Sequence, residues 1–285
     1  MPNKETVTLV DCPRDAIQGI QHFIPTHKKI AYINQLINSN LFDCIDFGSF
    51  VSPKAVPQLS DTIKVLDGLD KSDKVKLLAI IANTRGAEIG SVLDKIDYLG
   101  YPFSISETFQ NKNTNSSIAD AYQTVREILD IMDRNGNQEL VVYISMAFGN
   151  PYNDPWSMDL VSEWVYKLNA IGVRNFSIAD TTSEATVILI KDLFQKLISE
   201  FPDIPFSAHF HSAIESALLK IDAAYTAGCR RFEGAILGYG GCPFAKDELV
   251  GNIPSELLLD RFNKGSFEKV SMLMQGFQNL INNEL

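Results

Sequence analysis

The sequence predicts an α/β protein, a (β/α)8 TIM barrel followed by an extra C-terminal helix. Three observations predict it. Apolar strand-like runs alternate with helix-like runs eight times at roughly 30-residue spacing, which fills one barrel of typical size. No glycine-rich phosphate turn follows the first strand, so a doubly wound sheet ranks second. The 285 residues, 45% hydrophobic and 21% charged, suit an ordinary globular chain with a large core and no linker or low-complexity run. The expected organisation is a single domain, with the barrel over about 6–265 and the closing helix over 266–285.

The first strand is read at Thr6 to Asp11 and is stopped by Pro13. Thr26 then has the character of an N-cap, with Ile30, Ile33, Leu36 and Ile37 at helical spacing behind it. Cys44 to Gly48 is the second strand, and Asp61 to Leu69 its helix. Val75 to Ala82 is an apolar run interrupted only by Lys76, as expected of a strand buried on both faces. A helix over Ala87 to Ile96 and a strand over Tyr98 to Ser106 follow. Ser117 begins a long amphipathic helix carrying Ile118, Tyr122, Val125, Ile128 and Leu129. Leu140 to Met146 and Asn175 to Ala179 are the fifth and sixth strands, with helices over Met158 to Leu168 and Ala185 to Ile198. The seventh strand contains Phe206 to Ser212, and its helix, Ala217 to Thr226, stops at Gly228. Arg231 to Leu237 is the eighth strand, and two helices near Ser255–Asn263 and Ser266–Asn283 close the chain.

Composition narrows the partners. A formal charge of −10 argues against nucleic acid or an anionic membrane. No apolar run reaches the roughly 18 residues of a membrane span. The start, Met1-Pro2-Asn3-Lys4-Glu5, lacks the apolar core of a signal peptide. The four cysteines, Cys12, Cys44, Cys229 and Cys242, have no CxxC spacing and read as reduced cytosolic thiols. A cytoplasmic protein is expected.

In a barrel of this kind the chemistry lies at the C-terminal ends of the strands. His209 and His211, two of four histidines, sit two apart in a strand and therefore point to one face. Asp15 follows strand one, and Asn252 follows strand eight. One carboxylate, two imidazoles and an amide oxygen make a mixed nitrogen and oxygen set without thiolates. Such a set suits Mg2+ or Mn2+, and its imidazoles also tolerate iron or zinc. Other polar residues at strand ends are Arg14, Asp46, Ser49, Ser106, Glu107, Asp180, Thr181 and Cys242.

The combination Pro13-Arg14-Asp15, Ser49-Phe50-Val51-Ser52-Pro53-Lys54, Asn150-Pro151-Tyr152, His209-Phe210-His211 and Gly240-Gly241-Cys242-Pro243 with Asn252 resembles the 3-hydroxy-3-methylglutaryl-CoA lyases. The resemblance runs from about Val7 to Leu257. It implies an enzyme that cleaves that thioester to acetyl-CoA and acetoacetate, with an acyl-CoA as its small-molecule partner. It implies that Asp15, His209, His211 and Asn252 hold a divalent cation, Mg2+ or Mn2+. Arg14 would neutralise the developing enolate and Cys242 would transfer its proton, carried by a loop hinged at Gly238, Gly240 and Gly241. Asp15 is also the candidate base. Asp46 stands where the family has a glutamate and is counted with the catalytic set. Arg14, Gln18, Ser49, Glu107, Asp180 and Thr181 are the candidate substrate contacts, and a homo-oligomer, dimer or tetramer, is expected. Lys54, Arg85 and Lys112 are candidate phosphate partners only because they are basic and near strand ends.

The pattern also departs from the family. Ala16-Ile17-Gln18-Gly19 replaces Gly-Leu-Gln-Asn, Val10 replaces an acidic residue, and Asn150 replaces a cysteine. Two alternatives stay open: a related acyl-CoA lyase or condensing synthase, and a metal-binding barrel without turnover. The synthases carry a Glu-Arg stretch that this chain lacks.

Overall fold

Alternation along the first strand sets up the two faces of the sheet. In β1 (Thr8–Asp11) Leu9 packs into the layer shared with the helices, while Val10 and the following Cys12 turn into the barrel interior. Asp11 accordingly points outward and accepts a hydrogen bond from Ser255 Oγ. The structure is a computed structural model that describes residues 6–241 and 250–282.

Pro13 does not simply stop the chain. It occupies the first turn of a short helix, α1 (Pro13–Gln18), where its missing N–H costs nothing. The sequence alone reads Pro13 only as the stop of the first strand and places no helix here. Thr26 is likewise the first residue of α2 (Thr26–Ser39) rather than its cap, and its hydroxyl donates to Asp61 Oδ2 at 2.7 Å. β2 (Cys44–Ser49), α3 (Thr62–Asp67), β3 (Lys76–Ile80), α4 (Thr84–Gly90) and β4 (Tyr98–Ser104) continue the alternation. The β2–β3 register shifts between Asp46 and Gly48, a bulge of the kind that re-aims side chains beside sites.

A second unforeseen helix, α5 (Glu107–Thr114), follows β4. Its signal was Ser106, whose hydroxyl accepts from Phe109 N. Ser117 caps α6 (Ile118–Asn135) as expected, in a capping box with Asp120. β5 (Glu139–Ser145), α7 (Met158–Ala170), β6 (Asn175–Asp180), α8 (Val187–Glu200), β7 (Phe206–Phe210), α9 (Ile214–Thr226) and β8 (Arg231–Gly234) complete the eight units. β8 ends three residues earlier than expected: its pairing with β1 stops at Gly234, Ala235 bridges to Pro254, and Leu237 takes a left-handed backbone, φ 61°. α10 (Ser255–Arg261) and α11 (Phe267–Ile281) close the chain.

Every neighbouring pair is parallel, and β1 pairs with β8 from Thr8↔Arg231 to Asp11↔Gly234, so the sheet is a closed barrel. A large apolar layer lies between sheet and helices. A smaller one, Val10, Cys12, Cys44, Leu78, Ile80, Val141 and Tyr143, fills the interior. Above these residues the interior becomes polar, and the candidate site begins there. The extra helix α11 lies against α2 and the loop after β8, with Phe277 against the rings of Tyr32 and Tyr239.

Candidate active site and cation centre

α1 carries Gln18 one turn beyond the adjacent Arg14 and Asp15, and its side chain bonds to both. The Arg14 guanidinium is clamped from below by a single oxygen, Asp46 Oδ2, which accepts from Nε at 3.0 Å and Nη2 at 2.7 Å. Its Nη1 donates to Asp15 Oδ1 at 3.1 Å and Gln18 Oε1 at 3.0 Å. Gln18 Nε2 donates to the same Asp15 oxygen at 2.6 Å. The other Asp15 oxygen accepts from Asn252 Nδ2 at 2.6 Å. Asn252 also donates to Tyr239 O and pairs its backbone with His211 across an isolated antiparallel bridge. One carboxylate thus joins the first helix to the last barrel loop.

His209 and His211 face the same point from β7 and the residue beyond it. One donor atom each from Asp15, His209 and His211 lies within 4.8 Å of the others. His209 Nδ1 is 3.0 Å from Glu233 Oε2, and Glu233 Oε1 accepts from Ser177 Oγ at 2.8 Å. This leaves Nε2 of His209 for the cluster. Arg14, Asp15, His209 and His211 are 5–9% exposed, so the centre is nearly but not wholly sealed.

The charges follow from these contacts. Burial drives the Asp15 carboxyl up, but Arg14 and the two histidines hold it below its ordinary value. Burial raises Asp46 to about 6 despite Arg14. Arg14 keeps its proton because Asp46 and Asp15 outweigh the cost of burial. Burial and the neighbouring His209 push His211 down to about 4, whereas the Glu233 bond overcomes burial and raises His209. His211 is therefore a neutral imidazole at physiological pH, the form that binds cations.

These residues fit a divalent cation. Among the described residues the buried His211 Nδ1 has no hydrogen-bond partner, as expected of a polar atom that would serve a cation. A carboxylate plus imidazoles is a set that Mn2+, Fe2+ or Zn2+ accepts, and with water Mg2+. Asn252 presents its amide nitrogen toward Asp15, so a ligand role for its oxygen requires the amide to turn over, exchanging two ends of nearly equal shape.

Other expected site residues lie elsewhere. Ser49 ties strand ends together, donating to Ile80 O. Glu107 is exposed and accepts from Ile118 N, bracing α6; it does not join the Asp15 cluster. Asp180 accepts from Lys220 Nζ at 2.7 Å and from Ala185 N, and Thr181 Oγ1 accepts from Met146 N. Cys242 lies outside the described residues. Glu233 and Lys220 were missed. Glu233 sits inward on a strand whose face only the register reveals, and Lys220 is a charged residue in an amphipathic helix, which reads as surface.

The HMGL-like family model matches residues 7–268. The chain belongs to the HMGL-like family. It is similar to hydroxymethylglutaryl-CoA lyase YngG of Bacillus subtilis, 31% identical over 257 residues, covering 90% of this chain and 85% of that one. It is also similar to the 3-hydroxy-3-isohexenylglutaryl-CoA/hydroxy-methylglutaryl-CoA lyase of Pseudomonas aeruginosa, 31% identical over 264 residues, 92% of this chain and 86% of that one. Among solved structures, an HMG-CoA lyase from Acinetobacter baumannii in complex with coenzyme A and 3-methylmalate superposes with a TM-score of 0.87. It is 28% identical, and the match covers 97% of this chain and 91% of that chain. Within the HMGL-like family, the matched span contains the whole Asp15–His209–His211–Asn252 constellation.

Proposed function

We propose that this barrel is a divalent-cation-dependent carbon–carbon lyase that cleaves 3-hydroxy-3-methylglutaryl-CoA to acetyl-CoA and acetoacetate. The observation that carries this reading is the convergence of the Asp15, His209 and His211 donors beside an arginine locked by Asp46. Asp15, His209 and His211, with Asn252 once its amide is turned, would hold Mg2+ or Mn2+. The cation, when bound, polarises the tertiary hydroxyl of the substrate and lowers its pKa.

The residues then divide the work. Asp15 takes the hydroxyl proton. The carbon–carbon bond breaks as the hydroxyl carbon becomes the ketone of acetoacetate, and the electron pair passes to the thioester as an enolate. Arg14 meets that developing charge. Of its five N–H groups, Asp46 takes two, and Asp15 and Gln18 take one each. One N–H on Nη2 remains for the enolate oxygen, a fixed donor in a largely dehydrated site. Protonation of the enolate yields acetyl-CoA. Cys242 is assigned that proton by resemblance.

The lyase names of the relatives count against the condensing and turnover-free alternatives. The same reading makes the chain one catalytic domain in a cytoplasmic homo-oligomer, dimer or tetramer, with an acyl-CoA as partner and neither nucleic acid nor membrane. Among the described residues no helix is long and apolar enough to cross a membrane. Ser49, Asp180 and Thr181 are substrate contacts by resemblance alone, since their polar atoms already bond to Ile80, Lys220 with Ala185, and Met146. The test is a coupled assay for acetyl-CoA with Mg2+ or Mn2+; no product above an Arg14→Met control would sink the lyase. Sedimentation reads the oligomer.

A further inference from the structure

Two donor groups in the barrel share one histidine. Asp15, His209 and His211 form the first. Cys12, His209 and Glu233 form another, again with one ligand atom each within 4.8 Å of the others and all three residues buried. The topology explains the second group. Glu233 on β8 pairs with His209 on β7 and with Val10 on β1. Cys12, two residues beyond Val10, turns inward on the same side of its chain. Three adjacent chain segments therefore aim a thiol, an imidazole and a carboxylate at one point inside the barrel.

We propose that Cys12, His209 and Glu233 form a second cation site. It is selective for thiophilic divalent cations such as Zn2+, Co2+ or Cd2+ and cannot be filled together with the first. Its donors are what such cations take: one thiolate, one imidazole and one carboxylate, three protein ligands that leave a position for water. A coordinating thiol is deprotonated by the cation itself. Mg2+ prefers oxygen donors and near-ideal octahedral geometry, so it has little claim on this set.

Exclusion follows from the imidazole. His209 Nδ1 lies against Glu233 Oε2, so Nδ1 is the nitrogen that serves the second site and Nε2 the first. When a cation takes Nδ1, the ring proton moves to Nε2, Glu233 Oε2 exchanges its hydrogen bond for the cation, and the Cys12 thiol releases one proton to solvent. A protonated Nε2 has no lone pair for the first site. A thiophilic cation thereby withdraws His209 from the working centre. This inference goes beyond the lyase reading and rests only on its assignment of the first cation centre; absence of Mn2+ binding by electron paramagnetic resonance would fail that assignment, whereas absence of the Cys12-dependent band fails the second site.

The test is optical and needs no turnover. Co2+ is titrated into the chelator-treated full chain, and the near-ultraviolet thiolate-to-cobalt charge-transfer band is followed. The wild type is expected to show the band, and Cys12→Ser to lose it while keeping wild-type Mn2+ affinity by electron paramagnetic resonance. Saturating Mn2+ is expected to suppress the wild-type band. No band in the wild type, a band that survives in Cys12→Ser, or one indifferent to Mn2+ overturns the proposal. Glu233→Gln is the second variant, in case Cys12→Ser does not fold. It is expected to lower Co2+ affinity read at the band by about tenfold or more, and an unchanged affinity overturns the site equally.

Discussion

At the scale of residues, the centre separates two jobs that sit one residue apart. On the proposed function, Asp15 and the histidines would hold the cation, while Arg14 would meet the reacting carbonyl. Their substitutions should therefore fail differently. His211→Ala removes a neutral imidazole and is expected to abolish most activity and weaken Mn2+ binding together. Unchanged Mn2+ affinity in that variant would refute the ligand assignment. Arg14→Met removes the last free N–H and is expected to lower kcat by about 10²–10³-fold. Its Mn2+ affinity should fall far less, and a parallel collapse of both would show that Arg14 acts only by holding Asp15.

Elements carry a second layer, in which buried charges pin strand ends to helices. Lys220, 4% exposed on α9, donates to Asp180 Oδ2 at 2.7 Å, Ser183 Oγ at 3.0 Å and the His211 carbonyl at 3.0 Å. Lys220→Met leaves the buried Asp180 carboxylate without its ion-pair partner, with only backbone N–H donors such as Ala185 N remaining, and is expected to cost about 3–5 kcal/mol in denaturant unfolding. A loss under about 1 kcal/mol would reduce the pair to the value of a surface salt bridge. Asp11 makes the β1–α10 contact sensitive to pH. Burial raises its carboxyl from 3.8 to about 7. The folded chain thus keeps a proton that the unfolded chain loses near 3.8. The stability from this group is present below that pH and is lost as pH rises through 7. Asp11→Asn is expected to flatten this fall between pH 4 and 7; the same slope in the variant would assign it to another group.

What the sequence revealed at these two scales follows a physical rule. The His209/His211 pair was legible because a strand fixes a period of two, and Ser117 because capping is local. α1 and α5 were not, because each is a short helix hidden beside a strand end, and Pro13 is as good a helix start as a strand stop. Glu233 escaped because its partner lies 24 residues away, on another strand, and only the β7–β8 register brings them together. Asp46 was legible as an acid at a strand end. Its grip on Arg14 through one oxygen, 32 residues away, was not.

For the whole molecule, the decisive fact is that the centre joins the two ends of the barrel. Asp15 comes just after β1, His209 and His211 from β7, and Asn252 after β8, while β1 and β8 are the pair that closes the sheet. A cation held there would link the first unit to the last two, and could do so only in the folded chain, because Asp15 and the β7 histidines are far apart in sequence and are brought together only by barrel closure. Binding to the native state alone stabilises it by RT ln(1 + [L]/Kd), about 2.7 kcal/mol at a hundredfold excess over Kd. Mn2+ at that excess is therefore expected to raise the unfolding temperature by several degrees, and chelation to reverse the rise. His211→Ala should remove most of the shift, each protein being measured against its own chelated unfolding temperature, because loss of the buried ring can itself lower that baseline. An equal Mn2+ shift in both proteins would place the stabilising cation elsewhere and detach the closure of the barrel from its chemistry.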